Sequence, residues 1–159
     1  MGDDAEEAVL IPRLMRDARG SYAQVIHEHL HRVNCQDLPR HGPYVVGGLN
    51  GGTSAGLIFR EMGLGERQRE RLLSALLQSG FVEPGAGAPS YSVPDLVNTA
   101  RGTAAANAVW EGIQEVSHQL KERLTDEEMR GLVAGLRALC DIKKEHGERD
   151  HYRGAEHDL

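Results

Sequence analysis

Three histidines alternate along one segment: His27, His29 and His31. Imidazole can ligate a metal, carry a proton or hold an anion. On a helix, His27 and His31 lie one turn apart and share a face, while His29 points the other way, into an apolar stripe. The three cannot converge on one ion, and a His27/His31 pair needs ligands from elsewhere to hold zinc. No metal site is assigned. His29 is an imidazole on an apolar face, so it is either a core histidine with a polar partner or a ligand contact. Cys35 falls in a loop near His31 and His41, where a thiolate can act as a redox sensor. Cys140 falls on an apolar stripe and is expected to be buried and structural.

The second chemical cluster is cationic. Arg60, Arg67, Arg69 and Arg71 accompany Gln68 and Ser74. Arginines can neutralise phosphates, and Gln and Ser can read base edges. Glu66 and Glu70 offset part of that charge, and the plainer alternative is a solvated helix face laced by salt bridges. The stretch GGLNGG lacks the lysine and the preceding strand of a phosphate loop, so it reads as a helix end, and no cofactor is implied.

These residues must be held by helices. The chain has 159 residues, 40% hydrophobic but only 4% aromatic, so Leu, Val, Ile and Ala supply the burial. That length suits one domain with a real core. The net charge is -6, so any nucleic-acid contact has to be a local basic patch. Two cysteines are too few for a disulfide scaffold. The start, MGDDAEEAV, is acidic where a signal peptide carries positive charge. No apolar run approaches the roughly 20 residues of a membrane span. The expected compartment is the cytoplasm, with no membrane contact.

Apolar residues at Ile11, Met15, Ala18, Tyr22, Val25, Ile26, Leu30 and Val33 make one stripe, predicting a long first helix from about Glu6 to Val33. Pro12 suits a first turn, which moves the start toward Leu10. A loop over 34–43 and a short helix over Tyr44 to Leu49 follow. Thr53 is the expected N-cap of a helix to Met62. After Gly63-Leu64-Gly65, a helix is predicted from Glu66 to Gln78. Phe81 to Glu83 reads as a strand, Pro84 to Ser90 as a turn and Tyr91 to Val93 as the returning strand. Pro94-Asp95 opens a long helix to about Leu124, and Thr125-Asp126-Glu127-Glu128 is a capping box for the last helix. Met129, Leu132, Val133, Leu136, Leu139 and Cys140 fall on one side of it. Helix, tight turn, helix and hairpin, in that order, make a winged helix-turn-helix.

The stretches FREMGLGERQRERLLSALLQSGFVE, YSVPD and LKERLTDEEMRGLVAGLRALCDIKK give the chain its resemblance to the MarR family of bacterial regulators, over about Leu10 to Lys144. The resemblance implies a mostly α fold: a winged helix-turn-helix core over 34–94 with a small β-hairpin wing, long dimerisation helices over 1–33 and 95–145, and a polar tail over 146–159. It also implies an obligate homodimer on double-stranded DNA, released when a small apolar or aromatic molecule binds. Arg60, Arg67, Gln68, Arg71 and Ser74 would face the DNA. A ligand pocket would draw on Tyr22, Val25, His29, His41, Tyr44, Asn107, Trp110 and Glu111, with Trp110 either its aromatic wall or core filler.

Three departures from the family pattern stand out. Phe59 occupies a position where a small residue lets two helices cross, so its ring should separate or rotate them. Arg69 falls where an aliphatic side chain is normally buried, and must reach solvent or a carboxylate. The wing, PGAGAPS, carries no positive charge, and no Lys or Arg occurs from Leu72 to Ala100. Two alternatives to a DNA-binding regulator follow. One is a MarR-like scaffold that has lost operator binding and uses its pocket to bind or transform a small molecule, with His29, His41 and Tyr44 as acid/base groups. The other is a partner subunit for an intact MarR protein. No catalytic constellation is assigned beyond that.

Overall fold

The computed structural model describes residues 3–155, with the side chains of residues 9–146. Among them are seven helices and one two-stranded sheet: α1 (Asp3–Ala18), α2 (Ser21–Arg32), α3 (Gly42–Asn50), α4 (Ala55–Met62), α5 (Glu66–Gln78), β1 (Val82–Pro84), β2 (Leu96–Asn98), α6 (Ala100–Arg123) and α7 (Asp126–Ala155). The chain forms two compact units, 1–116 and 117–159.

The first unit holds the core. Leu30, Cys35, Val45, Val46, Ile58, Phe59, Leu72, Leu76, Phe81, Val93 and Leu96 are buried together with Ala105, Ala106, Ala108 and Val109 of α6. Small residues on α6 allow close approach. Gly112 lies so near the Ile26 backbone of α2 that a Cβ there would sit 2.9 Å from Ile26 Cα. Asn98 Nδ2 donates to the Val46 carbonyl at 2.8 Å, fastening β2 to α3.

The expected first helix is two helices. The chain turns at Arg19-Gly20, since glycine costs about 1 kcal/mol in a helix interior relative to alanine. Pro12 lies inside α1 and not in its first turn, because α1 already begins at Asp3, ahead of both expected starts, Glu6 and Leu10. Ser54, and not Thr53, caps α4, its hydroxyl accepting from Leu57 N at 3.4 Å. Gly63 takes φ +61 in the turn to α5. Phe59 is buried in the core at 3% exposure.

The hairpin is longer than its sequence suggests. β1 pairs antiparallel with β2, Val82 against Asn98 and Pro84 against Leu96, so the connection runs over 85–95. The expected strand over Tyr91 to Val93 is instead a tight turn within that connection, closed by a Ser90–Val93 bridge. Tyr91 and Ser92 both have positive φ, 50° and 60°. Two left-handed residues in succession define a type I′ turn, a geometry that favours Asn-Gly. Asp95 does not open α6. Its carboxylate accepts from Gly87 N at 2.8 Å and braces the loop, while Thr99 caps α6 by accepting from Gly102 N at 3.0 Å.

In the second unit, Thr125 and Glu128 form the expected capping box. Glu128 accepts from Thr125 N at 2.8 Å and from its hydroxyl at 2.9 Å. The backbone N–H first, and the hydroxyl second, hold its carboxyl below the ordinary value. The cap is therefore complete above the ordinary carboxylate range and is lost as pH falls through the lowered value. Leu132, Val133, Leu136, Leu139 and Ile142 line α7 and are 37–50% exposed in the single chain. Cys140 is exposed as well, against the expectation of burial, since the stripe it shares is itself open to solvent. The α7 backbone continues to Ala155, while most side chains of the expected polar tail, 146–159, lie outside the described residues.

Two glycine substitutions test this packing in opposite directions. A Cβ at Gly47, inside α3, meets nothing within 4 Å. Gly47→Ala should stabilise by about 0.5–1 kcal/mol. A Cβ at Gly102 would overlap the Phe81 carbonyl. Gly102→Ala should destabilise by about 1–3 kcal/mol. Urea unfolding reads both, and equal signs would contradict the packing described.

Candidate nucleic-acid face and ligand cavity

Helix α5 turns Leu72 and Leu76 into the core. Arg67, Arg71 and Ser74 follow one another at intervals of four and three residues on the opposite, exposed face, and Gln68 is exposed beside them. Among the described residues, the side chains of Arg67, Arg69 and Arg71 make no ion pair or hydrogen bond, so the alternative of a face laced by Glu66 and Glu70 is not formed. Arg69 is half-buried and none of its nitrogens is buried without a partner, so it reaches solvent as its charge requires. Arg60, exposed on α4, is held differently: Nη1 donates to Tyr91 Oη at 2.6 Å.

A cavity of about 690 Å³ opens between α2, the segment before α3, and α6. Ile26, Leu30, Leu38, Val109 and Ile113 give it apolar walls, with Tyr22 and Tyr44 beside them. Its other lining groups include Arg19, His27, Arg40 and His41, and no carboxylate. The size and the mostly apolar wall are those of a small-molecule site. His41 stands at the N-cap of α3 with φ 68, a left-handed conformation rare for residues other than glycine.

Of the expected pocket residues, the structure brings Tyr22, His41 and Tyr44 to this cavity. Val25 is half-buried on α2, and Asn107 is exposed on α6. Trp110 is 61% exposed, so it is not core filler. His29 and Glu111 meet each other. His29 is buried, with Nε2 2.8 Å from Glu115 and Nδ1 3.4 Å from Glu111, so its polar partners are carboxylates of α6. Cys35 is 1% exposed, its thiol directed at the carbonyls of Val33 and Arg101, and burial removes it from oxidants. No group of three or more His, Cys, Asp or Glu among the described residues is arranged to hold a metal.

Arg19 and Arg40 were not visible as pocket residues: Arg19 lies at the break between α1 and α2 that the sequence reading ran through as one helix, and Arg40 lies in the loop over 34–43, which gives no periodicity from which to place it. Arg101 was missed too, though it is the first cation after the long stretch from Leu72 to Ala100 that holds no Lys or Arg. Its guanidinium donates to Ser79 O at 2.6 Å, just beyond α5, and to Asn34 O at 3.2 Å and Asp37 Oδ1 at 2.6 Å, in the segment leading to the cavity. It also lies over the Phe81 ring, 4.3 Å from its centroid.

Comparison with known proteins places this architecture. No protein-family model matches the chain, and no curated protein matches it in sequence. Among solved structures it is similar to NMB1585, a MarR family regulator from Neisseria meningitidis. The TM-score is 0.60 at 20% identity, over 94% of this chain and 99% of that one. It is also similar to a mutant of MepR from a multidrug-resistant S. aureus clinical isolate, with a TM-score of 0.52 at 14% identity, over 86% of this chain and 96% of that one. The chain has the winged-helix fold of the MarR regulators.

Arg101 should prove the key fastening of the first unit. Arg101→Ala should cost roughly 2–3 kcal/mol, from lost charged hydrogen bonds to carbonyls. The half-exposed pair with Asp37 adds little. Arg101→Lys should recover only part, since an ammonium cannot span the three acceptors. Denaturant melts of both variants check this, and a wild-type midpoint for Arg101→Ala would refute it.

Proposed function

We propose that the chain is a homodimeric DNA-binding transcriptional regulator whose hold on DNA is governed by a small molecule. The observation that carries the DNA reading is the exposed face of α5, with Arg67 and Arg71 unpaired and Ser74 and Gln68 beside them. In a helix-turn-helix the second helix enters the major groove, and side chains on its outer face meet phosphates and base edges. The likeness to a MarR family regulator supports the same role. A second copy is the natural cover for the apolar stripe of α7, because Leu132, Leu136 and Leu139 repeat at helical spacing and are exposed. No described helix is long and apolar enough to cross a membrane. Such a regulator would work in the cytoplasm.

The cavity supports the ligand reading. Apolar walls, two tyrosines, and Arg19 and Arg40 without a carboxylate suit a flat apolar or aromatic molecule bearing an acidic group. The pocket-only alternative, in which DNA binding is lost, would work with His41 and Tyr44, since His29 is engaged by Glu111 and Glu115.

Fluorescence anisotropy with DNA from upstream of the protein's own coding sequence tests the first part. Affinity should fall steeply with salt, and Arg67→Ala and Arg71→Ala should each lower the log–log slope by about 0.9 per lost phosphate contact. Absence of binding at low salt would refute the regulator. Benzoate tests the second part. Trp110 is the single tryptophan and lies on the helix whose Val109 and Ile113 wall the cavity, so its emission should report binding. Arg40→Ala should weaken binding about tenfold, through loss of a charged contact. An unchanged titration in Arg40→Ala would contradict an acidic ligand at this site.

A further inference from the structure

The hairpin loop over 85–95 contains no Lys or Arg, yet a guanidinium stands against its Tyr91. It comes from α4. Arg60 Nη1 donates to Tyr91 Oη at 2.6 Å, and the guanidinium carbon lies 4.9 Å from the centre of the Tyr91 ring. The tyrosine therefore holds the cation both by its hydroxyl and by its π face.

The arrangement is built in from both sides. Gly56 and Arg60 are one helical turn apart on α4 and share a face. A Cβ at Gly56 would overlap the Ser90 carbonyl and hydroxyl, so the glycine is what lets the turn lie on the helix. On the hairpin side, Val93 is buried at 2% exposure and anchors the turn, which Ser90 and Val93 close with two backbone hydrogen bonds of 3.0 and 2.9 Å. Between those anchors, Tyr91 and Ser92 adopt left-handed backbone that their side chains disfavour. Unfavourable conformations persist where surrounding structure imposes them, and they gather at functional sites. Here the imposed turn sets the Tyr91 side chain over Arg60, while Tyr91 stays 55% exposed and Arg60 exposed. Tyr91 is the one side-chain partner of Arg60 among the described residues, leaving further guanidinium donors for an acceptor outside the chain.

We propose that Arg60 and Tyr91 form a composite phosphate clamp, in which α4 supplies the cation that the hairpin lacks and Tyr91 positions it against the backbone of duplex DNA. This inference rests on the DNA-binding reading above. The ligand is a phosphodiester and not a base, so the contact adds affinity without sequence preference.

Anisotropy with a fluorescein-labelled mixed-sequence duplex, titrated across a salt series, tests it. Arg60→Ala should lower the slope of log affinity against log salt by about 0.9 for each Arg60 engaged. Arg60→Lys should keep most of the slope, showing that charge and not folding is read. Tyr91→Phe leaves every charge in place and should weaken binding about fivefold, as expected for one lost hydrogen bond. In the Arg60→Ala chain, Tyr91→Phe should have no further effect, because a positioning residue has nothing left to position. Additive losses would overturn the clamp. So would an unchanged slope in Arg60→Ala when Arg67→Ala lowers it, and that result would leave the α5 reading standing. No binding by the wild-type chain would overturn both.

Discussion

One guanidinium references most of the first unit. Arg101, in the first turn of α6, meets the carbonyl just beyond α5, the face of Phe81 next to β1, and the segment between α2 and α3. A planar fork with several donors can serve acceptors in different directions, and only arginine combines that fork with a face that stacks on a ring. The end of the helix proposed to meet DNA and the start of the cavity wall are thus tied to the same side chain. Thr99, immediately before α6, adds to this by donating to the Gly80 carbonyl at 2.6 Å. Helix α5 does not rest on its turn alone; its far end is pinned to the long helix.

The helices were largely legible because burial imposes a period on sequence. Leu72 and Leu76 mark the inner face of α5, and its bounds, Glu66–Gln78, match the pattern. The capping box at Thr125 and Glu128 was readable because it is a local hydrogen-bond pattern. The hairpin was not. Strands of three residues carry almost no alternation, and Tyr91-Ser92 lack the Asn-Gly signature of the turn they form. The break at Gly20 was hidden because the apolar stripe continues in phase across it.

The site was legible in its types and less so in its pairings. That Arg67 and Arg71 share an exposed face follows from spacing alone. That Arg60 is held by Tyr91, thirty-one residues away, does not, because it depends on how the hairpin lies on α4. His29 was singled out as needing a partner, but Glu111 and Glu115 are found only once α2 and α6 are packed together. The cavity arginines sit at a helix end and in a loop, where no pattern predicts which way they face.

The proposed dimeric regulator rests on an exposed basic face on α5, a hairpin held against Arg60 of α4, and an exposed apolar stripe on α7. Sedimentation velocity with a labelled duplex tests that combination most directly. The account predicts that the free protein sediments at twice the chain mass, and that at low salt two chains move together with one duplex. A monomer at all concentrations, sedimenting apart from the duplex, would contradict it.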